Sequence, residues 1–280
     1  YRGYKLHHVM NITDVDDKTI RDSMAEGKTL KEFTEFYTEG FFKDRDILNI
    51  VPPDKYTKAT DYIDEMVKMI EQLIQKGHAY KSPDGSVYFD IHTDPRYGEL
   101  SGFNIATLKR NADNRLKVDE YEKENAQDFA LWKAWDESDG DVFWETSLGK
   151  GRPGWHIECS AMSIAELGEN IDIHTGGVDL IFPHHENEIA QSECATGKPF
   201  VKYWMHNEHL MVDGKKMAKS SGNFYTLRDL VEKGINPIAF RYWLYTAHYR
   251  TKTNFTLETV KGAQTALETL YEIFLTLPLS

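Results

Sequence analysis

The chain has 280 residues, 40% of them hydrophobic and 28% charged, enough for one large domain or two small ones with a sizeable core. Its net charge of −12 excludes a protein that holds nucleic acid by bulk positive charge, though not a shaped surface with local Lys and Arg. No stretch approaches the ~18 apolar residues of a membrane span, no secretory signal opens the chain, and two cysteines (Cys159 and Cys194) do not make a disulfide framework, so a reducing, cytoplasmic compartment is expected.

In chain order, Tyr4-Lys-Leu-His-His-Val-Met10 reads as a strand, followed by Asn11-Ile-Thr-Asp-Val-Asp-Asp-Lys18. Its carboxylates could suggest Mg²⁺ or Ca²⁺, but no Gly supplies an EF-hand bend. A strand-to-helix turn is preferred, with Thr13 or Asp14 as cap and Asp16 and Asp17 near the helix N-terminus. Thr13 then sits at a strand end, where α/β sheets place ligands. Residues 19–50 are helical in pattern with a break near Gly27, and the stripe Phe33, Phe36, Tyr37, Phe41, Phe42 is expected to be core. Asp61 to Gln75 predicts an amphipathic helix with Ile63, Met66, Val67, Ile70, Leu73 and Ile74 on one face and Gly77 closing it. Pro83-Asp84-Gly85 is a turn, Val87, Phe89 and Ile91 alternate as a strand, and residues 92–127 are polar, as in a surface insertion. Phe129-Ala-Leu-Trp132 starts an apolar segment, and a connective insertion is placed at 81–150.

Gly149-Lys-Gly-Arg-Pro-Gly154 has the composition of a phosphate loop but lacks the Gly-Lys-Ser/Thr ending, so it reads as a turn into a helix carrying His156 and Cys159 and running to about Leu167. Ile171 to His174 is a strand, followed by Thr175-Gly-Gly-Val-Asp179, where glycines let backbone approach a ligand and an Asp can hold ribose hydroxyls. Pro183 suits the first position of a helix, which puts His184 and Glu188 on one face one turn apart; His185 with Glu188 is sterically possible too. With Cys159 upstream, these donors suit Zn²⁺ with a fourth position to fill. Taken singly, such a His–Glu pair is more often a solvated helix pair and such a Cys a small buried hydrophobe. Met205 to Val212 is strand-like with a turn at Asp213-Gly214. Lys215-Lys-Met-Ala-Lys-Ser-Ser-Gly-Asn223 is either a solvated loop or a clamp on phosphates. Thr226 caps a helix ending at Gly234, Asn236-Pro237 starts another running from Ile238 to His248, and a last helix begins near Leu257, an all-α tail.

Lys216-Met-Ala-Lys-Ser220 resembles the Lys-Met-Ser-Lys-Ser signature of class I aminoacyl-tRNA synthetases, with Ala218 for Ser. Asn11 to Lys18, Gly151-Arg-Pro-Gly-Trp-His-Ile-Glu-Cys-Ser-Ala-Met162 and Phe182-Pro-His-His-Glu-Asn-Glu-Ile-Ala-Gln-Ser192 are similar to the cysteinyl-tRNA synthetase family, and the match runs through nearly the whole chain. The resemblance implies an α/β fold: a Rossmann-type parallel sheet split by an insertion, then an all-α C-terminal region. It divides the chain into 1–80 (remainder of the first half of the catalytic domain), 81–150 (connective insertion), 151–225 (second half, with the zinc site and lysine loop) and 226–280 (stem-contact region and start of a helical bundle). It implies activation of L-cysteine by ATP, with Mg²⁺, and transfer to tRNA(Cys) by a monomer. One zinc would take Cys159, His184 and Glu188. Trp155 and Thr13 match the amino-acid pocket, and His174, Gly176, Gly177 and Asp179 the nucleotide side. Lys216 and Lys219 match the catalytic loop that closes on ATP. The family's first zinc Cys and its His-Ile-Gly-His signature lie before the part matching Tyr1, and Cys194 is a poor substitute. An amino-terminal segment is therefore expected in the natural protein, and the chain as written is expected to be an incomplete catalytic unit.

The chemistry is consistent with this resemblance. A zinc-bound thiol ionises near neutral pH while serine offers a harder, less acidic oxygen, so a soft-ligand site discriminates where an apolar pocket manages only ~1–3 kcal/mol per methylene. Three rivals stand: a mycothiol-pathway cysteine ligase with an amino-sugar acceptor, a zinc metallohydrolase, which lacks a usual three-ligand hydrolytic set and leaves the lysine loop without a role, and a non-catalytic zinc- or RNA-binding module.

Overall fold

The protein is described from a computed structural model covering residues 2–102, 128–217 and 222–277. It divides into two units, the first Tyr1–Thr38, Pro53–His174 and Asp179–Met205, the second Glu39–Pro52, Thr175–Val178 and His206–Ser280. Of the polar stretch 92–127, residues 103–127 lie outside the described residues, as does Lys219.

Strand β1 (Val9–Ile12) leads through helices α1 (Asp17–Ala25) and α2 (Leu30–Ile47) to β2 (Lys55–Lys58), which pairs with β1 in parallel, Val9 opposite Lys55. The α1 cap is Asp16 rather than Thr13 or Asp14, because Thr19, three residues on, completes a reciprocal capping box. Asp14 is instead buried, accepting from Thr60 N at 3.0 Å and Thr60 Oγ1 at 2.6 Å. The aromatic stripe of α2 is only partly core: Phe33 is buried, but Phe36, Tyr37 and Phe41 are 58%, 53% and 42% exposed. Helical spacing aligns side chains on a face; it supplies nothing to cover that face.

Helix α3 (Ile63–Gln75) buries Ile63, Met66, Met69, Ile70 and Leu73, with Met69 taking the place expected of Ile74, which is exposed. Next come β3 (Ala79–Lys81), β4 (Val87–Phe89), β5 (Phe129–Ala134), β6 (Trp144–Thr146) and β7 (Gly149–Pro153), an antiparallel five-stranded sheet in the order β3-β4-β5-β7-β6. The sequence 149–154 is thus mainly a strand, not a turn. Its Gly151 and Gly154 are needed for close backbone approach: an added Cβ would stand 2.1 Å from Lys133 O and 2.0 Å from Ala130 O respectively. Arg152 on β7 is buried, donates from Nε to Asp139 at 2.7 Å and also pairs with Asp17 of α1, whose other carboxylate oxygen is 2.8 Å from Lys133 Nζ. Burial alone would raise the Asp17 carboxyl, but Lys133 and Arg152 outweigh it and hold the group below its ordinary range.

Helix α4 (Trp155–Leu167) leads to β8 (Ile171–Gly177), and α5 (Glu186–Thr196) leads to β9 (Val201–Asn207), which pairs with β8. Strand β8 is longer than expected, so Gly176 and Gly177 are its last residues rather than a loop after it. Phe182 is extended (φ −138°, ψ 129°), and Pro183 begins the helical run after it, which is irregular through His185 and regular from Glu186. Buried Ile20, Met66, Leu73, Phe89, Trp132 and Ile157 belong to one core in the first unit.

In the second unit, β10 (Leu210–Val212) and β11 (Lys215–Lys216) form a hairpin at Asp213-Gly214, whose φ values of 49° and 75° suit the right-handed strand twist. Thr226 caps α6 (Leu227–Glu232) through a capping box with Asp229, and Asn236 with Pro237 starts α7 (Pro237–Leu244), shorter than expected. The tail is not wholly α. Strand β12 (Thr253–Phe255) pairs in parallel with β10 because burying Phe255 against Trp243 (ring centroids 5.8 Å apart) docks those three residues, before α8 (Leu257–Thr276) begins. Among the described residues no helix is long and apolar enough to cross a membrane.

Candidate metal centre

Gly154 is the N-cap of α4, so Trp155, His156 and Cys159 occupy the first turns of that helix. Ser160 Oγ lies 2.6 Å from the side-chain amide of Gln191 on α5, a buried polar tie between the two helices. The N-terminal end of α5 is anchored from its other side. Glu186 accepts from Gly98 N at 2.8 Å and Ser101 N at 2.9 Å, and Asn187 accepts from the buried Tyr97 hydroxyl at 2.5 Å. Residues 97–101, expected to be surface insertion, therefore support the element that carries Glu188.

Cys159, His184 and Glu188 come together, their ligand atoms all within 4.8 Å of one another. His184 Nε2 stands 3.0 Å from Glu188 Oε1, whereas His185 Nε2 is 4.0 Å away, so the four-residue spacing gives the closer pair. His184 Nδ1 is 2.9 Å from His156 Nδ1, so one ring carries the shared proton and the other accepts it, leaving His184 Nε2 directed at the cluster. Trp155 packs on His184 with centroids 4.3 Å apart.

Glu188 is fully buried, and neither of its carboxylate oxygens accepts a hydrogen bond of good geometry among the described residues. Burial pushes this carboxyl up, but His174, His184 and His185 together hold it down to about 2. The Cys159 thiol is pushed well above its ordinary value, first by burial and then by Glu188 and Glu158. An unsolvated carboxylate beside a thiol that cannot ionise unaided fits a divalent cation, which would neutralise the one and ionise the other.

The other expected site residues are dispersed. His174, expected on the nucleotide side, has its Nε2 3.6 Å from Glu188 Oε2 and its ring 4.9 Å from His185 and 4.7 Å from Trp204. Asp179 sits in the short turn Val178–Leu180. Thr13 follows β1 and accepts from Asn11 Nδ2 at 3.3 Å. Lys216 ends β11, where its carbonyl accepts from Asn223 Nδ2 at 3.1 Å. Cys194, half-buried on α5, is no part of the cluster, and burial pushes its thiol up to about 12. Sequence reasoning assigns no role to His156 or Trp204. Only the density of histidines around Cys159 and Glu188 hinted at the former, and no local signal marked the latter.

A family model described as tRNA synthetases class I (C) catalytic domain matches residues 1–265. The cysteine–tRNA ligase of Brachyspira hyodysenteriae is 55% identical over 271 residues, covering 97% of this chain and 57% of the relative, and that of Chlamydia muridarum is 53% identical, covering 96% and 57%. The chain thus spans a little over half the length of these relatives. A Mycobacterium tuberculosis methionyl-tRNA synthetase in complex with methionyl-adenylate superposes with a TM-score of 0.68 at 13% identity, over 93% of this chain and 60% of that one, a likeness of fold. The chain belongs to the family of class I (C) tRNA synthetase catalytic domains.

Proposed function

We propose that the chain is the catalytic part of a cysteine–tRNA ligase, which activates L-cysteine with ATP and Mg²⁺ and transfers it to tRNA(Cys). The observation that carries this reading is the meeting of Cys159, His184 and Glu188, donors from separate stretches of chain, around a buried carboxylate. These three residues would hold zinc, which would supply a Lewis acid matched to a thiolate sulfur rather than to the harder oxygen of serine.

The chain's own groups do the rest. His156 fixes the ring orientation of His184 through the 2.9 Å Nδ1 contact, and Trp155 packs on the same ring at an interplanar angle of 38°. Thr13 and Trp155 are assigned to the amino-acid side, and His174, Gly176, Gly177 and Asp179 to the nucleotide. Lys216 and Lys219 stabilise charge on the phosphates as the cysteine carboxylate attacks the α-phosphorus and pyrophosphate leaves. No side-chain base is needed, because the nucleophile is already an anion. The acceptor reading rests on the relatives, whose names give tRNA rather than an amino sugar. The protein is taken to act as a monomer in the cytoplasm.

The test is metal content together with cysteine-dependent ATP–pyrophosphate exchange on one sample of the full-length protein. About one zinc per chain at the metal-to-protein ratio of purification, with exchange by cysteine and little by serine, is expected. Metal without exchange would leave a binding relative only, and absence of zinc would remove the centre.

A further inference from the structure

Glu186 is nearly as buried as Glu188, two residues further on, yet it belongs to no cluster of possible metal ligands among the described residues. Both of its oxygens are engaged on another side: Oε1 accepts from Gly98 N at 2.8 Å and Oε2 from Ser101 N at 2.9 Å. Those donors belong to a strap, residues 94–101, that runs along α5. Gly98, at φ 100°, bends the strap so that both N–H groups reach one carboxylate. Beside it the buried Tyr97 hydroxyl donates to Asn187 Oδ1 at 2.5 Å, and Arg96 pairs with Glu193, about two helical turns beyond Glu186.

We propose that Glu186 and Tyr97 are positioning residues for the metal centre: through them the strap fixes where α5 begins, and so where Glu188 lies. Neither residue touches the metal. The helical run that carries Glu188 is irregular through His185, so a regular backbone ladder does not by itself set its start. The strap sets it from outside. At 3.6 residues per turn, Glu186 and Glu188 point about 200° apart, so one carboxylate holds the strap while the other faces Cys159 and His184. A shift of the first is passed through one rigid turn to the second. The side chain at 186 must also offer two acceptors, because both of its partners are backbone N–H groups. An amide in its place would set its own N–H against one of them. Groups that hold ligands in place are commonly worth 10–100-fold in metal affinity.

This inference rests on the reading of Cys159, His184 and Glu188 as metal ligands, and the experiment separates the two. Zinc affinity of the full-length protein and its variants is measured by competition with a chromophoric chelator, alongside urea unfolding of the metal-free proteins. Glu186→Gln is expected to bind zinc roughly tenfold more weakly than the parent. Tyr97→Phe, which removes one hydroxyl, should lose about fivefold, the worth of one hydrogen bond. Arg96→Ala, which breaks the exposed ion pair at the far end of the strap, should bind zinc as the parent does. A purely structural role would lower the urea midpoint and leave zinc affinity unchanged. Parental affinity in Glu186→Gln therefore overturns the proposal, and parental affinity in Tyr97→Phe does so if Glu186→Gln fails to fold. An equal loss in Arg96→Ala overturns it too, since that would be general loosening of α5. A parent that binds no zinc removes the centre itself, and this inference with it.

Discussion

Gly154→Ala should damage both the fold and the metal centre, and the reason is steric. The residue has φ −74° and ψ 159°, a conformation open to any amino acid, so conformational freedom does not explain a glycine there. A Cβ built on it would stand 2.0 Å from Ala130 O and 2.8 Å from the carbonyl carbon, where real contacts stay above 3.0 Å. The opposing group is backbone of β5 and cannot rotate away, so β5 and the start of α4 must part by about 1 Å. That movement stretches the 2.9 Å hydrogen bond from Gly154 N to Leu131 O. Overpacking in a close-packed interior costs about 1–3 kcal/mol, and with a weakened hydrogen bond the expected loss is about 3 kcal/mol. The displaced helix start also shifts Cys159 relative to His184 and Glu188, so metal affinity should fall. The assay is urea unfolding of metal-free protein, read as midpoint and slope, with metal content measured separately. Gly40→Ala is the control. It lies inside α2 with nothing within 4 Å of an added Cβ and should gain about 0.5–1 kcal/mol. A Gly154→Ala protein as stable as its parent would refute the close approach of the two backbones.

The remaining predictions concern charge and chemistry. Asp17 has a folded-state pKa below its unfolded value, so its stabilisation is present above the ordinary carboxylate range and is lost as pH falls through the folded pKa. The stability difference between wild type and Asp17→Asn should therefore shrink as pH drops below about 4; a difference that grows on acidification contradicts the ion network. Replacing Cys159, His184 or Glu188 by Ala in the full-length protein should each lower zinc content and cysteine affinity, and unchanged metal content in all three would end the zinc reading. Lys219→Ala should slow adenylate formation, by roughly tenfold or more if the ammonium group contributes an ordinary charge–phosphate contact, with zinc retained. A normal single-turnover rate would remove Lys219 from the mechanism.

Local features were legible wherever a short-range rule fixed them. The His184–Glu188 pairing follows from one helical turn, the Asp213-Gly214 hairpin from two residues that tolerate positive φ, and the starts of α6 and α7 from capping residues. The errors arose where packing partners lay far along the chain. The α2 stripe has a helical period, yet Phe36, Tyr37 and Phe41 stay largely exposed. The proximity of His174 to Glu188 was likewise not written locally, because it depends on how β8 and α5 pack. Strand β12 is too short for any periodic signal and is created by the burial of Phe255.

By itself the sequence determined the family, through long ordered strings, and the set of donors that suits a thiophilic metal. Only the tertiary structure decided that Cys159, 25 residues before His184, reaches the His184–Glu188 pair, and that three histidines, His174, His184 and His185, face that carboxylate. Backbone sterics act over one turn or one hairpin and are written in neighbouring residues. The meeting of α4, β8 and α5 is set by which apolar faces bury together and where glycine leaves room, and those choices depend on the chain as a whole.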